Sequence, residues 1–140
     1  MIRINYPKYN FRFNVKDEKE FIFDVIRKRW VRLTEEEWVR QNFIQYLIQT
    51  KKYPASLLSV EKEIKLNDLK KRCDIVVFKN FEPWMIIECK APEVQLNSQV
   101  AQQIFAYNIT LKTNFLVTTN GTNTFCLNTL TQEFLNELPE

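Results

Sequence analysis

Apolar and polar residues alternate through Phe11, Phe13 and Val15 and again through Phe21, Phe23 and Val25, with the charged segment Lys16 to Glu20 between them. A period of two puts one side of each segment on a core, so the pair predicts a β-hairpin. A further strand is expected over Arg29 to Leu33. The period then changes. Thr34-Glu35-Glu36-Glu37 reads as an N-cap followed by acids in the first turn, where they favour the positive end of a helix dipole. Val39, Phe43 and Leu47 recur at four-residue spacing, which predicts a helix running to about Gln49.

Beyond Tyr53-Pro54, the stretch Leu57 to Leu66 mixes Val60 and Ile64 with charges, as expected of a strand with a wet face or at a sheet edge. Asp74 to Phe78 and Trp84 to Cys89 are instead almost continuously apolar, the pattern of central strands covered on both faces. Pro92 closes the second of these. Asn97-Ser98 can cap another helix with Val100, Ile104 and Leu111 on one stripe and Gln99, Gln103 and Tyr107 on a separate line. Phe115 to Thr119 and Thr124 to Leu127 flank Asn120-Gly121 and predict a hairpin, with the one glycine of the chain where positive φ is easiest. The tail from Thr131 is expected to be a short helix or frayed.

Strands and helices in this order predict an α/β fold. No repeat or low-complexity tract divides it, so one domain is expected over residues 1–140, with the hairpin as an extension at about 9–33 and a core at about 34–128. At 140 residues and 45% hydrophobic content, the chain can build one sizeable core. No run approaches the roughly 18 apolar residues of a membrane span, and the N-terminus lacks a signal-peptide hydrophobic segment, so a cytoplasmic location without a membrane partner is expected.

Histidine is absent. That excludes Ser-His-Asp and Cys-His catalysis, His-ligated zinc and haem, and nucleases with a histidine base. Cys73, Cys89 and Cys126 are odd in number and lack C-x-x-C spacing, which argues against a disulfide framework or structural zinc. Catalysis by this chain must use carboxylates, lysine, tyrosine or a metal.

Asp74 and the run Glu88-Cys89-Lys90 interrupt the two most apolar strands with charge, and charges in such places are usually paired or metal-bound. Glu88 and Lys90 share a strand face. If the two strands pair antiparallel through Lys79 to Pro83, Asp74 and Glu88 can each offer an oxygen to magnesium at about 2.1 Å, with the Cys89 carbonyl and waters completing the shell. Lys90 would then orient the attacking water and offset charge on the phosphoryl oxygens. The bland alternative is a strand ion pair between Glu88 and Lys90, which contributes little.

The net charge of +3 is too small to argue for nucleic acid by itself. Clusters say more: Arg27-Lys28-Arg29 and Lys70-Lys71-Arg72 lie near predicted turns, where they could follow a phosphate backbone. Each cluster alone is better read as solvated charge that keeps the protein soluble, and only convergence beside an acidic metal site changes that.

Together these residues resemble the PD-(D/E)XK nuclease superfamily, with Asp74, Glu88 and Lys90 as the signature and Cys73 where the superfamily name has proline. The similarity extends to Thr34-Glu35-Glu36-Glu37-Trp38-Val39-Arg40-Gln41, Cys73-Asp74-Ile75-Val76-Val77, Gln103-x-x-x-Tyr107-Asn108 and Thr119-Asn120-Gly121. In that combination and order the chain resembles the N-terminal nuclease domain of type I restriction enzyme R subunits from about Phe23 to Leu127.

The resemblance implies a restriction-endonuclease-like mixed central sheet flanked by helices, and a DNA endonuclease using Mg²⁺ or Mn²⁺. It further implies that Glu36 supports the metal, with Glu37 as the fallback, and that Gln103 and Tyr107 help orient the site and DNA. Restriction-modification subunits or a separate motor protein are the partners it implies besides DNA, since no G-x-x-x-x-G-K-[ST] sequence occurs in the chain. The competing expectation is a non-catalytic nucleic-acid-binding or assembly module of the same fold.

Overall fold

The computed structural model describes residues 1–66 and 68–140. Its strands are β1 (Ile2–Arg3), β2 (Phe13–Lys16), β3 (Lys19–Asp24), β4 (Arg29–Arg32), β5 (Leu58–Leu66), β6 (Leu69–Lys79), β7 (Glu82–Cys89), β8 (Phe115–Thr119), β9 (Asn123–Asn128) and β10 (Glu133–Phe134). The α-helices are α1 (Glu35–Gln45), continued by a π-helical turn at Tyr46–Thr50, and α2 (Ser98–Asn108).

Seven strands form one mixed sheet in the order β1-β9-β8-β7-β6-β5, with β10 also pairing β9. β2, β3 and β4 form a separate antiparallel sheet. The expected N-terminal hairpin is therefore extended to three strands by Arg29–Arg32. Its first turn is tighter than the charged segment suggested: Asp17 and Glu18 both have positive φ, 53° and 64°, as a two-residue hairpin turn demands. Asn80 and Phe81 make the same kind of turn between β6 and β7.

The β7 to β8 pairing is parallel, while β5, β6 and β7 pair antiparallel. Because parallel neighbours need a crossover, α2 lies between β7 and β8 in sequence and covers one face of the sheet. Ala101, Phe105 and Leu111 pack there on Val76, Ile86 and Leu116. On the other face Val39, Phe43, Ile44 and Leu47 pack on Ile75, Val77, Met85 and Ile87. Burial from both sides explains the unbroken apolar runs of β6 and β7.

Two elements differ from expectation because short segments carry little period. β1, two residues long, adds to the sheet beside β9. The tail is neither helical nor frayed: Glu133–Phe134 pairs with β9, and Leu138 is 1% exposed. Lys51 Nζ and the Tyr53 hydroxyl hold the tail by donating to the Leu138 and Pro139 carbonyls. No helix among the described residues is long and apolar enough to cross a membrane.

Gly121 closes the β8–β9 hairpin at φ 93°, and a Cβ there would stand 3.3 Å from Val39 Cγ2 of α1. Gly121→Ala is expected to lower stability by about 1–2 kcal/mol through backbone strain and crowding. Urea denaturation of the two proteins checks this; equal midpoints would mean that the turn relaxes freely.

Candidate functional site

The site begins at the cap of α1. Thr34 Oγ1 accepts from the Glu37 N–H at 3.0 Å, which fixes the helix start and therefore the directions of the three acids that follow. Glu37 turns inward and is 7% exposed. It accepts from Arg27 Nη2 at 2.9 Å, Arg40 Nη1 at 2.7 Å and Gln41 Nε2 at 3.1 Å. Glu36 faces outward, with a side chain 47% exposed, and its Oε1 lies 3.5 Å from Arg40 Nη2.

Arg40 is the centre of the arrangement. Besides Glu36, its Nη2 meets Glu61 Oε1 at 2.8 Å and Asp74 Oδ1 at 2.7 Å. These carboxylates come from α1, β5 and β6, and a local distortion of the sheet brings the last two together. Val60 pairs with Ile75 and Lys62 with Cys73, which leaves Glu61 opposite Asp74, and Glu61 has a φ of 55°. Strict alternation would send Asp74 to the α2 side with Val76; instead its carboxylate meets Arg40 of α1 and its Oδ2 accepts from the Cys89 N–H at 2.8 Å. Glu61 Oε2 in turn meets Arg72 Nε at 2.8 Å.

Glu88 points elsewhere. It shares the α2 side with Ile86 and lines a shallow cleft with Lys71, Lys90, Gln103, Ile104 and Tyr107. Lys90 Nζ lies 3.9 Å from Glu88 Oε1, and the Lys90 N–H donates to the Thr119 carbonyl of β8 at 2.8 Å. Lys71 Nζ sits 4.6 Å over the ring of Tyr107. The Cys89 backbone runs between the two carboxylates, joined to Asp74 through its N–H. The side chain of Glu36 still senses both halves: burial pushes its pKa up, Asp74 adds to this, and the charges of Arg40 and Lys90 oppose it.

The predicted residues thus fall into distinct settings. Asp74 and Glu36 gather on Arg40, while Glu88, Lys90, Gln103 and Tyr107 line the neighbouring cleft. Gln103 and Tyr107 are exposed. Lys28, Arg29, Lys70 and Arg72 are exposed as well, and Lys70 to Arg72 lie at the start of β6, next to the turn that precedes it. Arg27 departs from its expected place on the surface. Its side chain is 13% exposed and is held by Asp24 and Glu37, so it serves the interior instead of a phosphate backbone. Glu61 was not singled out from the sequence; in β5 it looks like one more charge on an edge strand.

A family model described as type I restriction enzyme R protein N terminus (HSDR_N) matches residues 35–139. The chain belongs to this family. The matched residues of the R-protein N-terminal domain take in α1 and the strands from β5 onward, and leave the three-stranded sheet outside. Membership sets the domain in a restriction-modification context with DNA. No curated protein and no solved structure matches it significantly.

The fit of a divalent ion to this domain can be judged from its donors. Among the described residues no three His, Cys, Asp or Glu side chains are grouped as a ready-made ion site. The donors have the right chemistry, however: they are hard carboxylate oxygens, and a cation, the Arg40 guanidinium, already rests among three of them. Their spacing is that of N–H···O contacts, so an ion at about 2.1 Å requires the cage to contract. Asp74→Asn is expected to lower stability: it relieves repulsion between neighbouring acids but takes a carboxylate from the Arg40 guanidinium at 2.7 Å.

The three-stranded sheet is tied to the site by a chain of charges from Asp24 through Arg27 and Glu37 to Arg40 and Asp74. Burial would raise the pKa of Asp24, but the Arg27 N–H, the Arg27 guanidinium and the Gln41 amide outweigh it and hold the carboxyl below its usual range. A depressed folded-state pKa adds stability above the unfolded value of about 3.9, and that stability is lost as pH falls through the folded value. Asp24→Asn is expected to cost about 1–3 kcal/mol at neutral pH and to flatten the acid limb of stability below about pH 4. Urea midpoints from pH 7 to 3 test it; parallel curves for the two proteins would remove Asp24 from the acid transition.

Proposed function

We propose that the R-protein N-terminal domain is a divalent-metal-dependent endonuclease acting on DNA phosphodiesters. The observation that supports this most is the gathering of Glu36, Glu61 and Asp74 on one cation position, next to a cleft lined by Glu88 and Lys90. Asp74 and the Cys89 carbonyl would hold Mg²⁺ or Mn²⁺, with Glu36 supporting them from α1, and Glu88 would join them only by turning its carboxylate out of the α2-side cleft toward Asp74. When bound, such an ion supplies Lewis-acid polarisation of a phosphoryl oxygen and a more acidic water.

The remaining work falls to the chain's own side chains. Lys90, held by its backbone bond to Thr119, presents an ammonium beside Glu88 that orients a water and offsets charge as it develops on phosphoryl oxygens. Gln103 and Tyr107 project from α2 on the rim of the same cleft, where an amide and a phenol can position a nucleic-acid strand. Lys28, Arg29, Lys70, Lys71 and Arg72 supply phosphate contacts.

The test is nicking or linearisation of supercoiled plasmid with Mg²⁺ or Mn²⁺, wild type against Glu88→Gln. Cleavage by wild type and a loss of about a hundredfold in the variant is the expected result. A second reading, a DNA-binding module that keeps the fold without cutting, is favoured by the lack of a ready-made three-acid group among the described residues. It predicts salt-sensitive DNA binding that survives Glu88→Gln, and no cleavage by either protein.

A further inference from the structure

Strand register divides the three-stranded sheet into two faces. Phe13 pairs with Ile22 and Ile22 with Val31, and this face packs inward: Ile22 is fully buried, and Phe13 lies 6.2 Å from the ring of Trp38 on α1. The opposite face carries Asn14, Phe21 and Arg32 in one cross-strand row, Phe23 and Trp30 in the next, and Lys16 beside Lys19 at the hairpin end. Arg12, whose carbonyl accepts from the Phe23 N–H, joins this outer face and lays its guanidinium 4.6 Å over Phe23 and 5.3 Å over Trp30. The strand residues of the outer face include no acid; Asp17 and Glu18 lie beyond it, in the turn. Among the described residues none of its lysines and arginines has a carboxylate partner. Its rings take no part in either core of the large sheet, and Trp30 is 38% exposed.

Rings interleaved with unpaired cations suit a polyanion whose bases can stack on them. An apolar protein surface laid here would strip water from those cations without pairing them. Phe21 and Phe23, two residues apart on β3, stand about 6.7 Å from each other along the strand, roughly twice the rise per base of a stacked nucleic-acid strand. Bases seated on both rings must therefore leave their own stack, which a single strand does readily and a duplex does not. We propose that the outer face of β2, β3 and β4 is a binding platform for single-stranded DNA. Phe21 stacks one base and the Phe23–Trp30 pair another, while Arg12 and Arg32 between them, and Lys16 and Lys19 at the hairpin end, take the phosphates. DNA is the strand that the restriction-modification context of the domain supplies. The inner face is tied to α1 by Arg27, which bridges Asp24 and Glu37, so a strand held on the platform is fixed relative to the helix that carries Glu36. The platform requires no metal and does not rest on the cleavage reading.

Fluorescence anisotropy of a labelled oligothymidylate, in a chelator so that no cleavage intervenes, tests the platform against a duplex of equal length. Wild type is expected to bind the single strand at least about tenfold more tightly than the duplex. Trp30→Leu, which keeps apolar bulk but loses the ring, should weaken binding at least about fivefold, while Trp30→Phe stays within about twofold of wild type. Arg12→Gln with Arg32→Gln should lower the slope of log affinity on log salt by about 1.4, since each phosphate contact on a single strand contributes about 0.7. Lys112→Ala, an exposed change just ahead of β8, should match wild type. Urea denaturation confirms that each variant is folded, and Phe21→Leu makes the same exchange in the next row if Trp30→Leu is not. No binding by wild type, equal affinity for the duplex, or wild-type affinity in the folded ring-to-leucine variant overturns the platform. An unchanged salt slope in the folded arginine pair overturns it as well. Because binding is read without metal, any of these failures leaves the nuclease reading to be decided by plasmid cleavage.

Discussion

Arg40→Leu is expected to destabilise the metal-free protein by about 3–5 kcal/mol, the range for removing one partner of a buried charge pair. Leucine replaces the buried stem of Arg40 but not its charge. Asp74 loses a contact at 2.7 Å and keeps the Cys89 N–H, while Glu37 keeps Arg27 and Glu61 keeps Arg72. The uncompensated charge is therefore concentrated on Asp74, whose side chain is 15% exposed and cannot recover full hydration without opening the sheet. Measured by urea denaturation in a chelator, the double variant Arg40→Leu with Asp74→Asn should recover part of the loss, with a coupling of about 1–3 kcal/mol. Added salt should rescue little, since enclosed pairs are poorly screened. A stability within about 0.5 kcal/mol of wild type would mean that these carboxylates are already solvated and that Arg40 does not balance them.

The fold was legible wherever a segment was long enough to show its period. β6 and β7 stand out because both helices cover them, and α1 and α2 begin at the side-chain caps expected, Thr34 and Asn97. Two-residue strands show no period at all. β1 and β10 are held by what they pair with on β9, a long-range property that no local window contains.

The candidate site was legible in its residue types but not in their directions. Alternation correctly puts Glu88 with Ile86 on the α2 side, and the same rule applied to Asp74 fails, because the sheet is distorted where Asp74 faces Glu61. That distortion needs a non-glycine residue at positive φ, which nothing in Val60-Glu61-Lys62 announces. The burial of Arg27 was equally hidden. In the sequence it belongs to a basic run, and only the return of α1 beside β3 supplies the Asp24 and Glu37 pair that draws it inward.

Lys90→Ala is expected to lower the rate of DNA cleavage by about 10²–10³-fold, the effect of deleting one charge that stabilises the transition state. Stability should barely move. The Lys90 side chain is 35% exposed and 3.9 Å from Glu88, and partly solvated pairs of this kind contribute at most about 1 kcal/mol. The lysine is also absent from the cage around Arg40, so Mn²⁺ affinity should stay within about threefold of wild type, whereas Asp74→Asn should lose binding and cleavage together. That split distinguishes a group acting on the reacting phosphate from one that assembles the ion site. Single-turnover cleavage measured across a Mn²⁺ titration, with the denaturation midpoint taken on the same preparation, reads all three quantities. If Lys90→Ala cuts as fast as wild type, the ammonium has no part in the chemistry, and Glu88 and Lys90 are the modest strand pair that their spacing alone would suggest.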